Sequence, residues 1–176
     1  MTCQDPEEPA DHALGRSRGG YGTKLHVVSD DTGIPLEVTL TVGERHESKE
    51  FENVMQGAIE SRCEEFESIA SESDRDAVKL PEAVSGDKAY SSGAIRDWIA
   101  ARLIQDVIPT KSNETAREGF DQSLYRRRNI VERVIGWLKE NRRAAMRFEK
   151  NAVHYLAFVK IAIIRRLLKM RLIHRA

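Results

Sequence analysis

Ala83-Val-Ser-Gly-Asp87-Lys-Ala-Tyr90-Ser-Ser92-Gly-Ala-Ile-Arg-Asp-Trp98-Ile-Ala-Ala-Arg-Leu103-Ile-Gln-Asp-Val-Ile108-Pro109 is the stretch that decides the fold class. Ala83 to Lys88 reads as a short strand that runs into Gly86-Asp87-Lys88-Ala89-Tyr90. Ser92 is placed to cap a helix through Leu103, and Ile104 to Ile108 is a second short apolar strand stopped by Pro109. A strand, helix, strand unit of this kind crosses over right-handedly and leaves its two strands parallel. The chain is therefore expected to be α/β.

Upstream, Leu25 and Val27 alternate with Lys24 and His26 as far as Ser29, and the turn Asp30-Asp-Thr-Gly33 follows. Leu36, Val38, Leu40 and Val42 then alternate with Glu37, Thr39 and Thr41. Period-two patterning on both sides of a turn predicts a hairpin with one buried face. Ser48 is a plausible N-cap for a helix to about Arg62, whose stripe Phe51, Val54, Met55, Ala58 and Ile59 should lie on that sheet. Met1 to Gly22 has Pro, Gly and charge without periodicity and reads as a flexible lead-in over 1–22. Residues 63–80 read as an acidic, solvated insertion, since Glu64 to Asp76 shows no useful period. Leu124 to Glu140 and Ala152 to Leu172 are expected helices joined by the basic link Arg142 to Lys150, the last of them part of a basic amphipathic C-terminal segment over 151–176.

The chain has 176 residues, 40% hydrophobic and 32% charged, which suits one globular core. Cys3 and Cys63 stand alone, so neither a disulfide framework nor a zinc ribbon is supported. No apolar run is long enough to span a bilayer, and Met1 to Ala10 lacks the order of a signal peptide, which points to a cytoplasmic protein with no membrane partner. The formal net charge of zero conceals an asymmetry: residues 1–100 hold 10 Lys and Arg against 21 Asp and Glu, whereas 101–176 hold 18 against 7. A basic half of this size offers a footprint to a polyanion, although basic residues on amphipathic helices also serve simply as a solvated face.

The most informative chemistry lies in Tyr125-Arg-Arg-Arg128-Asn-Ile-Val-Glu132-Arg-Val-Ile-Gly-Trp-Leu-Lys139. At about 100° per residue, and with Tyr125 at zero, Arg128 falls near 300°, Glu132 near 340° and Lys139 near 320°. The apolar set Val131, Val134, Ile135 and Leu138 lies beside this stripe, at about 180° to 280°. The carboxylate of Glu132 is thereby expected at the rim of a cleft. Arg128 and Glu132 are also spaced as an ordinary i, i+4 surface pair, worth a few tenths of a kcal/mol. His26, His46, His154 and His174 have no paired metal-ligand spacing, and Trp98 and Trp137 read as packing residues on helices.

The spacing of Tyr125, Arg128, Glu132 and Lys139 resembles the signature around the last acidic residue of bacterial DDE transposases. Gly86-Asp87-Lys88-Ala89-Tyr90 looks like the strand end that bears their second Asp. With Gly15-Arg-Ser-Arg-Gly-Gly-Tyr-Gly-Thr-Lys-Leu-His26 and Val42-Gly-Glu-Arg-His-Glu47, the resemblance is to the insertion-sequence-five transposases, akin to the insertion-sequence-four group, and runs from about Leu14 to Leu172.

The resemblance implies a ribonuclease-H-like mixed sheet with flanking helices, here with the first strand missing, and a partial DDE catalytic domain over 23–150. It implies that carboxylates hold Mg²⁺ or Mn²⁺ ions that cut DNA and rejoin it, two such ions being able to activate the attacking oxygen and stabilise the leaving one. Asp87 and Glu132 are the implied metal ligands. Arg128 and Lys139 would contact phosphates, and Tyr125 would stack against or position the backbone. Arg126, Arg133, Arg142 and Arg143 are the expected DNA-binding side chains.

The first catalytic Asp of the family lies upstream of the block matching Gly15 to Gly20, and neither Asp5 nor Asp11 sits in a strand-like run. The chain is thus expected to be the C-terminal part of a transposase, inactive alone for want of that first Asp, in the cytoplasm in association with the nucleoid, with transposon ends and target DNA as its partners. An upstream-frame transposase product and a second copy of the chain are its other expected partners. A non-catalytic DNA-binding regulator and a metal-dependent nuclease of the same fold are the alternatives.

Overall fold

The computed structural model describes residues 12–17, 19–69, 80–115 and 117–173. Cys3, Asp5, Asp11, His174 and the acidic residues 70–79 lie outside them. Three antiparallel strands, β1 (Gly15–Ser17), β2 (Gly20–Ser29) and β3 (Pro35–Val42), form one sheet in that order. The register pairs Leu25 with Leu40 and Val27 with Val38, as the alternation predicts. The Asp30 carboxylate accepts the backbone N–H groups of Thr32 and Ile34, and Gly33 takes φ +87°, which closes the turn.

The lead-in differs from expectation over its last part. Gly15–Ser17 pairs antiparallel with Gly20 to Gly22, so these residues are strands of a sheet and not a loop. Gly43 explains how they fit, because a Cβ there would lie 2.7 Å from the carbonyl oxygens of both Gly15 and Gly22. Three backbones meet where no side chain has room.

The β2–β3 hairpin is covered on both faces, where one was expected. Leu25, Val27, Val38 and Leu40 pack with α4 (Asn129–Lys139), α5 (Arg142–Ala145) and α6 (Ala152–Ile173) around Val134, Leu138, Tyr155, Val159 and Ile163. On the opposite face lies α1 (Phe51–Ile69), with Gly57 against Glu37. His26 and Thr41 are consequently buried and share a hydrogen bond of 2.8 Å. Burial without a partner would cost each group its hydration, and the shared bond offsets that cost.

The helix α1 begins after a short 3-10 turn, Glu47–Lys49, whose cap is His46 and not Ser48; the His46 ring nitrogen accepts the Ser48 N–H. It also continues past Arg62 to Ile69, so the first part of the expected insertion is helical. Its Phe51 and Met55 enter a second core with Val84, Ile95, Ile99, Ile104 and Ile108. That core belongs to β4 (Ala83–Ser85), α2 (Gly93–Ala100) and β5 (Gln105–Val107), and β4 and β5 are parallel, as expected for the crossover. Ser92 caps α2 through the Ile95 N–H, whereas the helix stops short of Leu103, which has φ +56° and is 95% exposed. The parallel pair forms its own two-stranded sheet, so the described strands make two sheets and not the single mixed sheet expected.

The expected helix from Leu124 to Glu140 is two helices, α3 (Gln122–Arg127) and α4, hinged at Arg128. Bonds of the i to i+3 type at Arg128 N–H to Tyr125 C=O and Val131 N–H to Arg128 C=O tighten the chain there. The basic link contains α5, and the long helix α6 runs as read from the sequence. No helix among the described residues is long and apolar enough to cross a membrane.

Ile99 has no exposed surface in the second core. Ile99→Ala should lower the unfolding free energy by about 2–5 kcal/mol in chemical denaturation, with the midpoint shifting and the slope unchanged. Burial holds the His26 imidazole below its ordinary value, outweighing the pull of Glu50 and Glu47. The unfolded chain then takes up a proton near the ordinary histidine pKa while the folded one does not, so this contribution to stability is present above about pH 6.5 and is lost as pH falls through the lower folded value. His26→Gln should flatten the decline in melting temperature between neutral and mildly acid pH, and an equal decline in both proteins would refute the assignment.

Candidate active site

The junction of α3 and α4 brings three of the expected residues together. Asp121 caps α3 by accepting the Ser123 and Leu124 N–H groups, and these bonds hold its carboxyl below the usual range. The Arg127 guanidinium reaches Asp31 at 2.8 Å, and Gly33 lies against the side chains of Ile130 and Val134. The hairpin turn is therefore docked on the junction, which fixes where Arg128 points. Its Nη2 donates to Glu132 Oε1 at 2.7 Å, and its guanidinium carbon lies 5.7 Å from the centre of the Tyr125 ring.

Glu132 is well exposed, with 61% of its side-chain surface open, so the ion pair itself adds only about 0.3–0.5 kcal/mol. The bond takes up part of one carboxylate oxygen. Lys139, at the far end of α4, is exposed and does not join the group.

Asp87 sits two residues beyond the end of β4. Its carboxylate accepts the Ala89 N–H at 2.8 Å and so caps a 3-10 turn, Lys88–Tyr90. Gly86 leaves room for this turn, because a Cβ there would stand 3.2 Å from the Tyr90 ring. Tyr90 packs on Phe51 with centroids 5.9 Å apart, and burial pushes its phenol up to about 12. Asp87 stands exposed on the turn after β4 and Glu132 exposed on α4, with no hydrogen bond between them.

The carboxylates described do not make up the full ligand set that the family resemblance implies. Among the described residues there is no group of three or more His, Cys, Asp or Glu side chains able to hold a metal ion.

Sequence spacing did not reveal the polar network behind the Asp87 turn. Ser91, 1% exposed, closes that turn with its N–H to the Lys88 carbonyl, and its hydroxyl donates to Glu114 and accepts from Arg96 at 2.7 Å. Arg96 also meets Asp106 at 2.5 Å, Arg117 pairs with the same carboxylate, and Lys111 donates to the Ser91 carbonyl at 2.6 Å. The Ser91 hydroxyl and the Lys111 N–H hold the Glu114 carboxyl below its ordinary value. This network straps the segment after β5 to the turn that presents Asp87.

Of the expected DNA-binding arginines, Arg126 and Arg133 are exposed on α3 and α4. Arg142 lies 5.5 Å from the Phe148 ring, whereas Arg143 pairs with Glu149 at 3.1 Å and covers Phe158 at 4.3 Å. Trp98 packs edge-on against Phe51 at 5.6 Å, in keeping with its reading as a core side chain.

Comparison with known proteins gives this arrangement a family. Residues 2–167 match the family described as "Transposase DDE domain". A candidate transposase for insertion sequence element IS6501 of Brucella ovis is 28% identical over 144 residues, 80% of this chain and 93% of that protein. A candidate transposase for insertion sequence element IS402 of Burkholderia cepacia is 27% identical over 144 residues, and the match spans 62% of its length. No solved structure matches the chain. Asp87 on its capped turn and Glu132 on α4 lie inside the matched span, and the chain belongs to the DDE transposase family.

Proposed function

We propose that this chain is the C-terminal part of the ribonuclease-H-like catalytic domain of an insertion-sequence-five transposase, which cuts DNA at the element ends and joins it to target DNA. The observation that carries the reading is the α3–α4 junction, where helical spacing gathers Tyr125, Arg128 and the exposed Glu132, with the hairpin turn docked beside them through Arg127 and Asp31. In this reading Glu132 and Asp87 supply two acids, Arg128 orients Glu132 while keeping donors for a phosphate, and the Tyr125 ring supports the guanidinium. Lys139, further along α4, meets the DNA backbone outside this group. Mg²⁺ or Mn²⁺ would supply charge neutralisation at the reacting phosphate. The described residues do not fit a complete site for such ions, and the reading assigns the third acid to a strand outside them.

A second reading, a DNA-binding regulator without catalysis, draws support from the basic C-terminal half. Divalent-metal-dependent nicking of an element-end duplex separates the two. The chain alone should nick no faster than background, and adding an upstream polypeptide that carries the family's first strand and Asp should restore cleavage. With Glu132→Gln the mixture should stay inactive, since an amide offers a neutral oxygen in place of a charged ligand. Restoration by the upstream polypeptide despite Glu132→Gln would remove Glu132 from the site.

The arginines make a graded prediction. Arg126 and Arg133 have no acid partner among the described residues, whereas Arg143 does. Every phosphate that a cationic side chain neutralises steepens the fall of log affinity with log salt by about 0.9. The Arg126→Ala, Arg133→Ala pair should therefore reduce the slope by roughly 2, with Arg143→Ala alone having the smaller effect. An unchanged slope in the double variant would make those side chains a solvated face.

A further inference from the structure

Residues 146–150, between α5 and α6, hold a loop that is braced from within while two apolar side chains project from it. Arg147 is the brace: its Nε donates to the Glu149 carbonyl at 2.8 Å, its Nη2 to the Lys150 carbonyl at 2.6 Å and its Nη1 to Thr23 on β2 at 2.5 Å. Glu149 adds a second brace, its carboxylate taking Arg143 at 3.1 Å and the Phe148 N–H at 3.2 Å. The Met146 N–H donates to the Arg142 carbonyl, and the Tyr155 hydroxyl fastens the end of α5 by donating to the Ala144 carbonyl at 2.7 Å. Arg147 and Glu149 point inward, and Met146 and Phe148, 57% and 54% exposed, point to solvent.

A single exposed apolar residue is ordinary, and a loose loop could fold it away. Two on alternate positions of a segment fixed by this many bonds cannot retract, so they face solvent as a preformed pair.

The surroundings select the partner. Between Asn141 and Asn151 the charged residues are Arg142, Arg143, Arg147, Lys150 and one acid, Glu149, whose side chain is 9% exposed and already paired. Arg142 lies beside the Phe148 ring at 5.5 Å. An apolar tip in a basic frame complements a phosphate backbone with bases behind it, whereas a second copy of the same face would oppose like charges. Phe and Met are among the side chains that enter base steps and unstack them, at lowest cost at flexible pyrimidine–purine steps.

We propose that Met146 and Phe148 form a wedge that inserts into the base stack of duplex DNA, with Arg142 and Lys150 on the flanking phosphates. This rests on the reading of the chain as a DNA-binding transposase part and adds a point at which the duplex is kinked.

The test uses the full chain and a set of duplexes carrying 2-aminopurine at successive positions beside TA steps, read by fluorescence and by anisotropy at several salt concentrations. Binding of the wild-type chain should raise the emission at one or two positions several-fold. The Met146→Ala, Phe148→Ala variant should lose the rise and bind roughly ten-fold more weakly, with the salt slope unchanged. Phe148→Leu, which keeps an apolar tip, should retain most of the rise, and Lys150→Ala should retain it while lowering the slope by about 0.9.

Binding without any emission rise, or a rise that survives in the double variant, overturns the wedge alone. A wild-type chain that sediments as a dimer and becomes monomeric in the double variant would make the pair a protein interface and overturn it too. Failure of the wild-type chain to bind any duplex would take down the DNA reading itself, and the wedge with it.

Discussion

The β2–β3 hairpin has an apolar face toward α4 and α6 and a second face toward α1, and α4, the helix that presents Glu132, is placed by its packing on the first of those faces. Val134 and Leu138 of α4 are buried against Val38, so α4 cannot rotate without opening the core, and Glu132, two positions before Val134, is held on the exposed side. The register that puts Val27 beside Val38 leaves the turn at Asp31 and Gly33 in reach of Arg127 and Ile130. Position at the site is therefore a product of side-chain packing well away from it.

Periodic segments were legible from the residues alone. Alternation around Asp30 to Gly33 gave the hairpin, and Ser92 with its following apolar residues gave the crossover helix, because both depend on local spacing. The pairing of Gly15–Ser17 with Gly20 to Gly22 was not legible: with three residues in β1 there is no alternation to count, and its reason for existing is the approach of Gly43, more than twenty positions away. The second buried face of the main hairpin was likewise hidden, since His26 and Thr41 look polar until their mutual hydrogen bond and the cover of α1 are known. A strong helical pattern also concealed the tightening at Arg128, as its turn geometry differs from an α-turn by one hydrogen-bond step.

The candidate site divides in the same way. Tyr125, Arg128 and Glu132 were readable because residues three and four apart on a helix are neighbours, and the hinge at Arg128 preserves that adjacency. Lys139, two turns further on, shares the direction but not the contact. Ser91, Arg96, Asp106, Glu114 and Arg117 are brought together from the turn after β4, from α2 and from β5 with the segment after it. No spacing rule joins them. Their attractions are short-range, with Ser91 buried and the Asp106 side chain largely so while Glu114 and Arg117 are partly open to water, so the network acts as a strap on the Asp87 turn and not as a long-range field.

The order in which the core is completed follows from one feature of the hairpin, the distance along the chain to its cover. Arg127 and Asp31 are separated by 96 positions, and Arg147 and Thr23 by 124. The crossover unit from Ala83 to Ile108 can close on neighbours made within a few dozen residues, whereas Leu25, Val27, Val38 and Leu40 wait for α4 and α6, far along the chain at residues 129–173. During that interval the apolar face of the strand pair stands open to water. Loop-closure entropy makes its capture slow, and exposed strand pairs of this kind are where nascent chains associate wrongly. Vectorial synthesis on the ribosome thus leaves this face of the hairpin the longest without its cover.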